Sequence, residues 1–154
     1  MISNATAVIC LSKINRLELL KKAYSSVLIP LAVKNEVLLE GREGYQAINN
    51  AIKKGWLKVI EPKKTLDLGL GTGENHAISL AKERKDIIIL DDAVAITAAK
   101  SLNINHIRTT TVVFVALKKK IINKKQATLI LNQLIEEGYY ISPQYYAGLI
   151  AKLK

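Results

Sequence analysis

Residues 66–92 read LDLGLGTGENHAISLAKERKDIIILDD, and the fold turns on how this stretch is parsed. Gly69, Gly71 and Gly73 recur at every second position, a pattern that lets backbone approach a partner closely because no Cβ intervenes. The segment ENHAISLAKER that follows reads as a helix, opened by Glu74, whose charge suits a helix N-terminus. IIIL at 87–90 is short and wholly apolar, as a strand covered on both faces should be. Asp91 and Asp92 come directly after it, and in an open parallel sheet function collects where strands end.

Outward from this stretch the periodicity keeps switching between strand and helix. TAVICL at 6–11 reads as a buried strand and RLELLKKAY at 16–24 as an amphipathic helix. VLIP ends a strand at Pro30, which also suits the first turn of the helix LAVKNEVLLEG, closed by Gly41. YQAINNAIKKG is a helix stopped by Gly55, and WLKVIEP a short strand ended by Pro62. DAVAITAAKSL reads as an alanine-rich helix and INHIRT at 104–109 as a last parallel strand. The remainder, TVVFVALKKKII, ATLILNQLIEEG and SPQYYAGLIAKL, predicts three helices, the last with Ser142 as N-cap and Pro143 at its first position. The alternation predicts an α/β fold with a central parallel sheet flanked by helices, a helical C-terminal end, and a single domain over 1–154.

The chain carries a formal charge of +10 over 154 residues, which favours a polyanionic partner. The densest basic cluster, KKKIINKK, holds Lys118, Lys119, Lys120, Lys124 and Lys125; read as a helix, it turns its isoleucines inward and fans its lysines outward. The longest apolar runs fall short of the roughly 18 residues of a membrane span, and MISNATAVICLSK lacks the basic leader of a secretory signal. With one cysteine, Cys10, no internal disulfide forms, so the expectation is a cytoplasmic protein without membrane contact and Cys10 as a buried small residue.

The glycine loop resembles the nucleotide-binding turn of S-adenosylmethionine-dependent methyltransferases, with Asp91 and Asp92 about where a ribose-binding acid belongs. Its surroundings argue against that reading. The strand feeding such a loop is central and buried, whereas here it would begin at Lys63 and Lys64 after Pro62, and too few strands follow. The acids suit other chemistry. Asn4 stands at the first strand, Glu36 lies about one and a half turns into the helix after Pro30, Glu74 opens the helix after the glycines, and Asp91 and Asp92 follow IIIL. Glu36 lies between Val33 and Val37 on an aliphatic helix face, where an unpaired carboxylate is costly to bury. A divalent cation would relieve that cost, and clustered oxygen donors without a His or Cys pattern suit Mg²⁺ or Mn²⁺.

Four elements in order resemble the PIN-domain family, metal-dependent ribonucleases that include the VapC-type toxins, and in particular a PIN-like nucleic-acid-binding subfamily. ISNATAVICLSKINRLELL resembles its opening strand and helix, and VLIPLAVKNEV its strand, proline and acid-bearing helix. LGTGENHAISLA is similar to its glycine, acid and alanine-rich helix, and IIILDDAVAITAAKSLNI to its strand followed by an acid, best aligned at Asp92. The resemblance implies a three-layer fold and hydrolysis of RNA phosphodiesters at Mg²⁺ or Mn²⁺, with Glu36, Glu74 and Asp92 catalytic and Asn4 and Asp91 completing the metal set. It also implies RNA as partner, with a small antitoxin protein or a second copy in a homodimer as further candidates. Asn4 departs from the pattern: it falls where the family carries its first metal-binding aspartate, and three carboxylates hold a hard dication more weakly than four. The alternative is a PIN fold that binds RNA or a partner with weakened turnover.

Softer candidates are Thr6 and the run Thr109, Thr110 and Thr111, hydroxyls that could hold water or phosphate near strand ends; Thr6 and Thr110 are the two chosen as supporting polar groups. His76 and His106 have no partner at metal-binding spacing. Tyr139, Tyr140, Tyr145 and Tyr146 are read as core or dimer contacts before base-stacking platforms.

Overall fold

Five short strands, β1 (Ile2–Ser3), β2 (Val27–Ile29), β3 (Leu57–Val59), β4 (Ile88–Ile89) and β5 (His106–Ile107), form one sheet in a computed structural model that describes residues 1–154. Their order is β3-β2-β1-β4-β5 and every pairing is parallel, with Ile2 in register with both Leu28 and Ile88. Nine helices flank the sheet: α1 (Ala5–Lys13), α2 (Glu18–Tyr24), α3 (Leu31–Val37), α4 (Tyr45–Lys53), α5 (Thr72–Arg84), α6 (Ala93–Ser101), α7 (Thr109–Lys118), α8 (Lys124–Glu136) and α9 (Pro143–Leu153). This is the expected α/β architecture. One contiguous core runs from Ile2 to Leu153, built on strand residues such as Ile2, Ile29, Leu57, Ile88 and Ile89 that water does not reach. No helix is long and apolar enough to cross a membrane.

Two elements differ from the sequence reading. TAVICL at 6–11 is helix, not strand. The strand is only Ile2–Ser3, Asn4 ends it, and Ala7, Val8, Leu11 and Ser12 are the buried face of α1, a spacing of 3.6 rather than 2. The cluster KKKIINKK is not one helix either. α7 stops at Lys118, a turn follows, and Asn123 opens α8 with a capping box: its side chain accepts from Gln126 N–H while Gln126 Oε1 accepts from Asn123 N–H. Because α7 begins at the carboxyl end of β5 and is ten residues long, it carries the chain about 15 Å toward the amino edge of the sheet. There Lys119 Nζ donates to the carbonyl of Ala23. The lysines therefore crowd the edge opposite to the acids.

The stretch 60–71 contains no strand. Its backbone is fastened to α5 instead: Ser79 Oγ accepts from Leu66 N–H, and Asn75 accepts from Leu68 N–H and donates to the carbonyl of Leu70. The glycines thus end a connection that α5 itself holds in place, with Gly71 as the N-cap of that helix. α3 ends at Val37, before Gly41, whereas Ser142 and Pro143 open α9 as expected.

Candidate metal and nucleic-acid site

The strand order turns round between β1 and β4, and the crevice outside their carboxyl ends is where open parallel sheets take ligands. Asn4 sits there. It is 3% exposed and N-caps α1, yet its side chain accepts no hydrogen bond from the first turn. An N-cap asparagine ordinarily accepts from the second or third N–H of its helix. Here Asn4 Oδ1 is buried with no partner in the protein, which costs on the order of 1–3 kcal/mol.

Asn4 lines a cleft of about 210 Å³ together with Thr6, Glu36, Gly71, Gly73 and Glu74. Helices α3 and α5 meet at Gly73, where a Cβ would collide with Glu36 Oε1, so the missing side chain is what lets the Glu36 carboxylate into the cleft. Glu36 itself is exposed. The expectation of a carboxylate buried on an aliphatic face is therefore corrected: Val33 and Val37 are buried, and Glu36 stands at the border of that face, turned to the cleft. Burial pushes the Glu74 carboxyl above its usual range; Asp92 adds to this, the Gly71 N–H opposes it, and Glu36 adds further. Glu74 thus senses both neighbours, and none of the three acids is paired with a cation: the charge contacts of the molecule are Met1 with Asp86 and, when His76 is protonated, Glu61 with His76.

Asp92 N-caps α6, accepting from Ala95 N–H at 2.9 Å through one oxygen. It is exposed, and its other oxygen accepts no protein hydrogen bond. Asp91 behaves differently. Its carboxylate accepts from Thr109 N–H at 2.9 Å, from Thr109 Oγ1 at 2.6 Å and from the Tyr139 hydroxyl. Both oxygens are committed to the start of α7 and the C-terminal segment, so Asp91 serves as an anchor, and the reading of it as additional metal charge is revised. Burial and then Asp91 push the Tyr139 hydroxyl well above its usual pKa, which keeps it a donor. Thr110 is buried, bonded to the Tyr145 hydroxyl at 2.9 Å, and does not line the cleft, whereas Thr6 does. Lys118, Lys119, Lys120, Lys124 and Lys125 lie at the other edge of the sheet, with Lys124 Nζ bonded to the carbonyl of Lys154.

No three His, Cys, Asp or Glu side chains stand together at metal-holding distances. The acids form an open rim. The donor set nevertheless fits a hard dication: an orphaned amide oxygen, a carboxyl of raised proton affinity, the exposed Glu36 carboxylate, and Asp92, held by one oxygen with the other uncommitted. Sequence reasoning missed a second opening, a cavity of about 710 Å³ that shares Thr6 with the cleft and includes Asp92, Arg108, Tyr140 and Tyr145. Arg108 was discoverable, since it follows the last parallel strand directly.

The model of the family described as DUF3368, PIN domain, matches residues 1–154. Among solved structures, a PilT N-terminus domain protein from the hyperthermophilic archaeon Sulfolobus solfataricus is similar over 73% of this chain and 90% of that chain, with 21% identity and a TM-score of 0.54, a likeness of fold. No curated protein matches the chain.

Proposed function

The chain belongs to the PIN-domain family, and from that premise we propose that it is a metal-dependent endoribonuclease of the VapC toxin type, hydrolysing RNA phosphodiesters at the cleft. PIN domains are generally nucleases. The S-adenosylmethionine reading loses its footing, because no strand feeds the glycine loop and the loop is spent on fastening α5. The observation that carries the proposal is the buried Asn4 Oδ1, left without a partner in a cleft that Glu36 and Glu74 also line.

In this reading Asn4, Glu36, Glu74 and Asp92 would hold Mg²⁺ or Mn²⁺. The cation, when bound, supplies Lewis acidity toward a phosphoryl oxygen and acidifies water. Glu74 lines the cleft beside Asn4 and Glu36, and a carboxylate there would be placed to accept a proton from the attacking water. Gly73 admits Glu36, and the Ala95 N–H holds Asp92 in place. Asp91 keeps the start of α7 against the end of β4, so that Arg108 stays beside the acids. A cytoplasmic location, a homodimer and a small antitoxin partner belong to the same reading; a neighbouring gene for a small protein would support the toxin assignment.

A second reading is a binding module with weakened turnover. The uncharged Asn4 and the open rim of acids favour it.

The test is hydrolysis of structured and unstructured RNA with Mg²⁺, Mn²⁺ or EDTA, with Glu74→Gln as the contamination control, alongside thermal melting with and without metal. Asn4→Asp adds a buried negative charge, so the apo variant should melt lower and gain more from Mg²⁺ than the parent. Hydrolysis should be equal or faster. Equal metal responses would put Asn4 outside the coordination shell, and hydrolysis that persists in EDTA would end the mechanism.

A further inference from the structure

The cavity of about 710 Å³ beside the acid cleft has the size of a small-ligand site, for which roughly 300–1,000 Å³ is usual. It is walled by α1 at Thr6 and Cys10, by Asp92, by Arg108 at the β5–α7 junction, and by Tyr140 and Tyr145 of the C-terminal segment. Arg108 has no carboxylate partner. Its guanidinium carbon lies 5.6 Å from the centre of the Tyr145 ring, a cation–π contact, and Nη1 donates to the Asp91 carbonyl at 3.3 Å. The guanidinium is therefore oriented and has donors to spare.

The four tyrosines of this segment divide clearly. Tyr139 donates to Asp91, Tyr145 bonds to Thr110 and Tyr146 donates to Asn132. Tyr140 makes no such bond and is 82% exposed, at the mouth of the cavity. An exposed aromatic ring that nothing inside the protein uses, an unpaired guanidinium and a neighbouring acid cleft make one combination. Aromatic faces stack on bases, and arginine takes phosphate.

Resting on the nuclease reading above, we propose that this cavity is a nucleotide subsite: it receives the residue of single-stranded RNA next to the scissile phosphodiester, its base against Tyr140 and its phosphate on Arg108. Thr6, common to both openings, marks the passage from one to the other. A duplex cannot offer a free base face to Tyr140, so the subsite selects unpaired RNA. An acidic peptide could also reach Arg108, but it would leave the exposed face of Tyr140 unused.

The experiment measures anisotropy of a fluorescein-labelled RNA tetranucleotide in EDTA, at low salt, for the parent, Tyr140→Ala and Tyr140→Trp, with KM and kcat determined in Mg²⁺. At its exposure Tyr140 carries little of the fold, so the variants should melt as the parent does. Tyr140→Ala is expected to bind roughly tenfold more weakly, as loss of one stacked base predicts, with KM raised and kcat held, and Tyr140→Trp to recover the affinity. Unchanged affinity and KM in Tyr140→Ala overturn the subsite while hydrolysis keeps the nuclease reading intact. No binding by the parent, or failure of Tyr140→Trp to restore it, also overturns the subsite. An acidic peptide that displaces the RNA from the parent, and binds Tyr140→Ala more weakly, would overturn it in favour of a peptide site. Tyr140-dependent binding without hydrolysis supports the subsite and sinks the nuclease reading instead.

Discussion

Replacing Gly73 by alanine separates the packing of the cleft from its chemistry. A Cβ at residue 73 would lie 3.4 Å from Val33 Cγ2, within ordinary contact, but 3.2 Å from the carboxyl carbon of Glu36 and inside 3.0 Å of its Oε1. The obstacle is the end of a flexible, exposed side chain, so Glu36 gives way rather than the helices. To restore contact its carboxylate withdraws by about 1 Å, a misplacement that costs on the order of 100-fold when the group belongs to a reacting constellation. The fold gains instead. Gly73 lies in the first turn of α5 and its φ is not left-handed, so alanine removes unfolded-state freedom worth about 0.4–1 kcal/mol. For a chain of this length that corresponds to a rise in Tm of roughly 1–4 °C. Gly73→Ala should therefore melt at or above the parent in EDTA, respond less to Mg²⁺, and lose about 100-fold in RNA hydrolysis. Full activity with an undiminished metal response would show that Glu36 takes no part in the site; a large fall in Tm would show that the Glu36 side chain cannot give way as described.

The other predictions concern charge. Because the folded protein raises the proton affinity of Glu74, its contribution to stability is present below the unfolded carboxylate value of about 4.3 and is lost as pH rises through the higher folded value. In EDTA, Glu74→Gln should accordingly melt above the parent at pH 7, with the gap closing as pH falls toward about 4; a gap that ignores pH would refute the assigned electrostatics. Lys118→Ala combined with Lys120→Ala should leave both hydrolysis of short RNA and the salt slope of its binding as they were, since these lysines lie at the far edge of the sheet. A slope reduced by about 0.7 for each residue removed would return the cluster to the interface.

Much of this was legible because strand ends and helix starts leave local marks. Glu74 after Gly73, Asp92 before an alanine-rich run and Pro30 before α3 each announce a junction, and the sheet assembles those junctions at one edge. The first strand was not legible from periodicity: two residues long, it shows no alternation, and the adjoining apolar run TAVICL reads equally as strand or buried helix. The lysine cluster misled because charge density was read without its punctuation; Asn123 followed three residues later by Gln126 is a helix start, which the run of lysines hides. Glu36 misled through the coarseness of face assignment, since a residue beside Val37 on a helix can stand at the rim of the buried stripe. Asp91 had no local signal of its task. Its partners Thr109 and Tyr139 come 18 and 48 residues later, and only the folded chain brings them to it.

That three-donor anchor also divides the molecule into what the sheet makes and what the chain's end completes. β1, β2 and β4 join through backbone pairing, and the acid cleft opens directly at their carboxyl ends. The wall carrying Tyr139, Tyr140 and Tyr145 is tied to that edge through a hydroxyl 48 residues downstream of the carboxylate it meets. The cleft is thus a property of the sheet, whereas the cavity beside it depends on the C-terminal segment being fastened there.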